Sequence, residues 1–265
     1  MEKINIKVEN LTFSYGEEEV LKGIDLEFDN RSTAIIGQNG AGKSTFVKLL
    51  KGLLKPTGGN VIIKETNTKD STAAKLAKFI GMVFQNPNDQ IFKNKVIDEI
   101  MFGPLNIGLS YQKALENSEK ALKLSGLKGL ENSNPYDLSL SERKLITIAS
   151  IVAMDTDIII FDEPTIAQDY AGKEKIKEII RYLVSEGKLV ITIIHDMDFV
   201  AEVFERTIVF TSGKVSLDGD TKEVYSQEEI LKSAYLEKPH VLQLSERLGF
   251  KETVLTVEDF IKRYK

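Results

Sequence analysis

Polar and apolar residues alternate from the start of the chain. Ile4, Ile6, Val8, Leu11 and Phe13 stand among polar neighbours, the pattern of half-buried strand. The acidic run Glu17-Glu18-Glu19 predicts a hairpin loop, with a second strand from Val20. Ser32 to Ile36 is a short apolar strand that enters a glycine-rich loop. A helix is predicted from about Lys43 to Leu53, ended by Gly52 and the turn Pro56-Thr57-Gly58-Gly59. Asn60 to Lys64 reads as strand, and residues 66 to 83 as a polar helix leading into the strand Phe79 to Phe84. From Gln85 to Ala153 the pattern is mainly helical, including a strongly apolar helix after Ser139. Ile158 to Phe161, Leu189 to Ile194 and Thr207 to Thr211 are continuous apolar runs, as in parallel strands covered on both faces. A helix from Lys173 to Ser185 separates the first two, and residues 220 to 265 read as a helical tail. The alternation predicts an α/β sheet interrupted by a helical insert.

Composition narrows the functions open to such a sheet. The chain has 265 residues, enough for one or two domains with a sizeable core. A net charge of -5 argues against a nucleic-acid partner, because such proteins carry a basic surplus. The absence of cysteine excludes disulfides and thiolate chemistry, and two histidines do not make a multi-histidine metal cage. No apolar run approaches the roughly 18 residues needed to span a bilayer. The N-terminus lacks a signal-peptide core. The expectation is a cytoplasmic protein, peripheral to any membrane it serves.

The strongest chemical signal is Gly37-Gln38-Asn39-Gly40-Ala41-Gly42-Lys43-Ser44-Thr45, which fits the phosphate loop G-x-x-x-x-G-K-[ST]. Its glycines let backbone N–H groups turn inward around phosphates, and the helix that follows aims its positive end there. Lys43 is expected on the β- and γ-phosphates of ATP and Ser44 on Mg²⁺. Asp162 and Glu163 end the strand Ile158 to Phe161, where α/β sheets bind ligands. Asp162 suits magnesium and Glu163 suits a base that activates water. His195 ends the strand Val190 to Ile194, one helix after Glu163, which favours a γ-phosphate contact. Gln85 ends the strand Met82-Val83-Phe84.

GQNGAGKST, VFQNP, IIIFDEPT and IIHD, in this order and spacing, resemble the Walker A, Q-loop, Walker B and H-loop of ABC-family ATPases. The resemblance implies a P-loop NTPase of the ABC type: a RecA-like core, an N-terminal antiparallel β subdomain, a helical insert and a C-terminal extension. It places the ATPase domain at 1–219, the helical subdomain at about 86–153, and a dimerising extension at 220–265. It implies that Tyr15 stacks on adenine, that Gln85 senses Mg²⁺ and γ-phosphate, that Glu163 is the catalytic glutamate, that His195 is the switch histidine, and that Asp169 is the D-loop aspartate. Ile166-Ala167-Gln168-Asp169 departs from the usual S-A-L-D.

Narrower features resemble the energy-coupling-factor branch. They are Asn86-Pro87-Asn88-Asp89-Gln90-Ile91-Phe92, Phe102-Gly103-Pro104, Asn106-Ile107-Gly108-Leu109, and the tail segments Lys238 to Leu244 and Leu255 to Glu258. That branch implies an importer for a vitamin or metal ion at the cytoplasmic face of the membrane. Its parts are a membrane scaffold, a separate substrate-binding membrane subunit and a pair of ATPases. The signature L-S-G-G-Q is replaced by Leu138-Ser139-Leu140-Ser141-Glu142. Ser139 keeps the hydroxyl that faces the γ-phosphate on the other subunit. Leu140 adds bulk and Glu142 a negative charge, so the expected partner is a related ATPase with an intact signature. The rival readings are an ABC ATPase of another branch, a soluble ABC-type ATPase of repair or translation, and a non-hydrolysing structural subunit.

Overall fold

The computed structural model describes residues 6–250 and 252–264; Ile4, expected in the first strand, lies outside them. The alternating N-terminal segment forms β1 (Ile6–Tyr15) and β2 (Glu18–Phe28), joined by a tight turn at Gly16, whose φ is 61°. The acidic run is therefore mostly strand, because the turn needs only Gly16 and Glu17. With β4 (Gly58–Ile63) and β5 (Thr66–Asn67) these strands make an antiparallel sheet in the order β2-β1-β4-β5.

The continuous apolar runs form the second sheet, ordered β10-β9-β3-β8-β7-β6. Its strands are β3 (Thr33–Gly37), β6 (Ile80–Val83), β7 (Ile158–Asp162), β8 (Leu189–Ile193), β9 (Arg206–Thr211) and β10 (Lys214–Asp220). All are parallel except β10, an edge strand antiparallel to β9. The sequence reading passed over β10, whose alternation is of exposed and half-buried residues only.

Successive residues of the central strands point to opposite layers. Ile158 and Ile160 join one apolar cluster with the antiparallel sheet and with Phe46, Val47, Leu49 and Leu50 of α1 (Lys43–Leu50). Ile159 and Phe161 join another with α6 (Tyr170–Ser185), α7 (Met197–Val203) and the tail. Each strand is thus buried on both faces, which fixes its carboxyl end, and the side chains there, in a rigid frame.

The insert packs α3 (Val96–Asn106), α4 (Tyr111–Leu124) and α5 (Leu140–Ala153) around Val96, Ile100, Leu122, Ile146 and Ala149. Among the described residues the tail is four short helices: α8 (Thr221–Ser226), α9 (Glu228–Ser233), α10 (His240–Arg247) and α11 (Val257–Tyr264). Tyr225, Leu231 and Leu242 pack into the sheet's second cluster, while Leu244, Leu248, Val257 and Ile261 stay exposed.

One expected element is corrected. The polar helix from residue 66 is a strand end, a 3-10 turn at Thr68–Asp70, and a single turn of helix α2 (Ala73–Leu76). Asn67 bonds the Lys69 N–H and the Asn60 side chain, and Lys55 donates to the carbonyls of Thr68, Lys69 and Ser71. Three carbonyls converging on one ammonium hold this stretch as a compact turn.

Candidate nucleotide-binding and hydrolytic site

Strand β3 ends on Gly37, whose φ is 147°. A Cβ there would lie 2.3 Å from the Phe210 carbonyl oxygen of β9, so only glycine lets the chain leave the sheet here. Gly40 and Gly42 also take positive φ, and Gly42 is the residue preceding α1, whose N-terminus no side chain caps. Free backbone donors and the helix dipole there favour an anion. Lys43 is buried, and its ammonium donates to the carbonyls of Gly37 at 2.7 Å and Gln38 at 2.8 Å. Burial lowers its pKa below the ordinary lysine value, while the charges of Glu163 and Asp162 pull the other way.

Behind the loop, the Ser44 hydroxyl lies 3.4 Å from Asp162 Oδ1. Burial raises the Asp162 pKa, the neighbouring Glu163 charge adds to the rise, and the Ser44 bond opposes it. Both carboxylate oxygens of Glu163 are engaged. Gln85 Nε2 donates to Oε2 at 2.9 Å, and His195 Nε2 stands 3.1 Å from Oε1. Glu163 sits at φ 50°, left-handed backbone rarely adopted outside glycine, and its N–H donates to Ile193 of β8 at 3.0 Å. The strained turn aims its carboxylate over the end of the sheet.

Most of these groups, though not Gly37 or Asp162, line one open cavity of about 720 Å³. It is lined by Asn39, Gly40, Gly42, Lys43, Ser44, Thr45, Gln85, Glu163 and His195, with Tyr15 at its edge. Tyr15 is half exposed and stands edge-on to Phe13 at 4.8 Å, leaving a ring face for a planar base. Gln38 and Ala41 complete the loop without lining the cavity. Sequence reasoning missed Glu18, Val20 and Ile166, which also line it. Hairpin register gives one signal, since Glu18 pairs across from Tyr15.

Ser139 does not line this cavity. It caps α5 in a capping box: its hydroxyl donates to Glu142 Oε2 at 2.6 Å and accepts the Glu142 N–H at 3.2 Å. These bonds hold the Glu142 carboxyl below its usual range. Asp169 caps α6 through the Gly172 N–H at 2.8 Å. The departures in the two motifs meet: Ser141 Oγ donates to Gln168 Oε1 at 2.9 Å, and Gln168 Nε2 donates to the Ser141 carbonyl at 3.3 Å.

The donor set fits magnesium carried by a nucleotide. Among the described residues no group of three or more His, Cys, Asp or Glu could hold a metal by itself. Ser44 and Asp162 offer hard oxygens beside the phosphate loop, and Mg²⁺ in such sites takes one or two protein oxygens plus substrate phosphates.

Comparison with known proteins identifies the family. The family described as ABC transporter matches residues 21–166. An ABC transporter ATP-binding protein of Pyrococcus furiosus is 40% identical over 97% of this chain and 98% of its own. An energy-coupling factor transporter ATP-binding protein of Methanocaldococcus jannaschii is 37% identical over 94% and 91%. Among solved structures, cbiO1 of Clostridium perfringens, described as part of an ABC transporter complex, has a TM-score of 0.77 at 32% identity, covering 92% of this chain and all of that one. A dimeric ATP-binding cassette bound to ADP and phosphate has a TM-score of 0.74 at 29% identity, covering 82% and 98%. With its phosphate loop, carboxylate pair and histidine gathered at one sheet end, the chain belongs to the ABC transporter ATP-binding proteins, the ATP-hydrolysing subunits of membrane transporters.

Proposed function

We propose that this chain energises an energy-coupling-factor importer, from the cytoplasmic face of the membrane. A membrane scaffold and a separate vitamin- or metal-ion-binding membrane subunit complete it. The observation that carries the reading is an exposed aromatic patch beside the Gln85 loop. Phe92 and Phe102 are 53% and 38% exposed, their ring centroids lie 4.6 Å apart, and Lys93 reaches both rings. Such a patch suits docking to another protein, and it lies in two of the segments that resemble the branch. The Methanocaldococcus relative and the cbiO1 structure support the same branch. Among the described residues no helix is long and apolar enough to cross a membrane, so this chain needs partners that do.

In the proposed cycle Tyr15 stacks on adenine, while the loop amides from Gly37 to Thr45 and the Lys43 ammonium hold the phosphates. Ser44, Asp162 and Gln85 would hold Mg²⁺, which would neutralise charge on the phosphates. Glu163 accepts a proton from the attacking water, and His195 steadies the γ-phosphate and the carboxylate. Positioning and charge stabilisation supply most of the catalysis in such transfers. Gln85 passes the change at the γ-phosphate to the aromatic patch. No nucleic acid takes part.

The decisive experiment is to tag the chain, extract it gently from its native membranes and identify by mass what accompanies it. A second ATPase with an intact L-S-G-G-Q and an integral membrane scaffold is expected. Recovery with itself alone, or without a membrane protein, returns the chain to a generic ABC ATPase.

The altered signature makes the proposed pair asymmetric. Ser139 is already bound to Glu142, Leu140 is 44% exposed at the start of α5, and the ionised Glu142 would face a phosphate. The chain's own site would be completed by the partner, whereas the partner's site would meet this poor segment. A Leu140→Gly, Glu142→Gln double variant restores most of the motif and leaves the Ser141–Gln168 bonds in place. Regaining one hydrogen bond, about 1 kcal/mol, raises partner-site hydrolysis about fivefold. Phosphate release by a complex whose other site is silenced measures this, and an unchanged rate rules out the impairment.

A further inference from the structure

Lys144 lies one turn into α5 and is 1% exposed. Lysines usually extend their ammonium to water, and a buried one must find acceptors. Lys144 Nζ donates to the carbonyls of Phe84 and Gln85 at 2.8 Å each, with the Asp162 carbonyl at 3.5 Å. All three acceptors are backbone groups at the carboxyl ends of β6 and β7. A second tie joins the same places. Gln90 accepts the Phe84 N–H at 3.0 Å and reaches the Thr147 carbonyl of α5 at 3.5 Å. The backbone that carries Gln85 is therefore held from the helical subdomain, and its side chain in turn holds Glu163 at 2.9 Å. Burial pushes the lysine down to about 8, opposed by the Asp162 and Glu163 charges.

We propose that Lys144 is a positioning residue for hydrolysis: it fixes the Phe84–Gln85 backbone against α5, so that Gln85 meets Glu163. A rotation of the helical subdomain then reaches the hydrolytic carboxylate through Lys144 rather than through the loop surface alone. Because its acceptors are neutral carbonyls, donated hydrogen bonds matter more than charge. An amide can replace part of them, whereas a thioether of similar length cannot.

The test compares Lys144→Met and Lys144→Gln in the full chain within its assembled transporter. Misplacing a catalytic loop by a fraction of an ångström lowers kcat about 10- to 100-fold. That loss is expected for Lys144→Met, with KM for ATP nearly unchanged and with Lys144→Gln recovering much of kcat. An unchanged kcat in Lys144→Met, a loss confined to KM, or equal losses in both variants overturns the proposal. If the methionine variant fails to fold, Gln90→Leu cuts the second tie to the same backbone without emptying a charged site. Alone it should lower kcat, and combined with Lys144→Gln it should lower kcat further. An unaffected kcat in that variant is again a refutation.

Discussion

Glu163→Gln is expected to lower ATP turnover about 100- to 10,000-fold, the range in which a positioned general base acts, while ATP binding persists. The argument rests on what the amide keeps and what it loses. Glutamine has the same shape, so its oxygen still accepts from Gln85 and its other terminus still faces His195. The left-handed turn and the N–H bond to Ile193 belong to the backbone and are untouched. What disappears is the charge that, in the proposed cycle, takes a proton from water. The same change should favour ionised Asp162. Burial is the first cause of that residue's raised pKa, but the Glu163 charge is the second and is removed. Metal and nucleotide affinity are therefore retained as hydrolysis fails. Phosphate release and equilibrium ATP binding, measured on the same sample, check both halves. Unchanged turnover in the assembled complex would make this chain a structural partner whose companion does the hydrolysis.

Much of this site is legible in the sequence because its chemistry sits at strand ends. A continuous apolar run such as Ile158 to Phe161 announces a buried parallel strand, and the residues after it then have a predictable place. Gly37 to Thr45, Asp162, Glu163 and His195 all follow such runs, and the structure gathers them. The hairpin turn and the short helices were less readable. Residues 66 to 72 carry no apolar periodicity, and their path is set by polar side-chain contacts from Lys55 and Asn60 that no periodicity reports. Lys144 was illegible for a related reason. A lysine in an amphipathic helix reads as solvent-facing, and only its burial shows otherwise. The Ser141–Gln168 contact joins two motif departures that look independent in sequence, and only the fold makes them one feature.

Lys43→Met should cost ATP affinity about 10- to 100-fold, on the scale of about 1.5–3 kcal/mol for a hydrogen bond to a charged group. Hydrolysis should fall with it. The ammonium bonds the Gly37 and Gln38 carbonyls of its own loop. Phosphate oxygens offer it full negative charge, so ligand binding favours its protonated form far more than those neutral carbonyls do. Burial lowers the pKa of Lys43, and phosphates must raise it. Binding therefore takes up a proton wherever the lysine is neutral beforehand. ATP affinity should weaken as pH climbs through that lowered pKa toward 10.5, the ordinary lysine value. Lys43→Met should flatten this alkaline limb. Folding stability should change less than affinity, because methionine sheds the desolvation cost of a buried charge while it loses the two carbonyl bonds. Thermal melting and ATP titration across alkaline pH separate the two effects. A variant that loses affinity together with stability would mean that the lysine holds the loop in shape, and that the amides alone hold the phosphates.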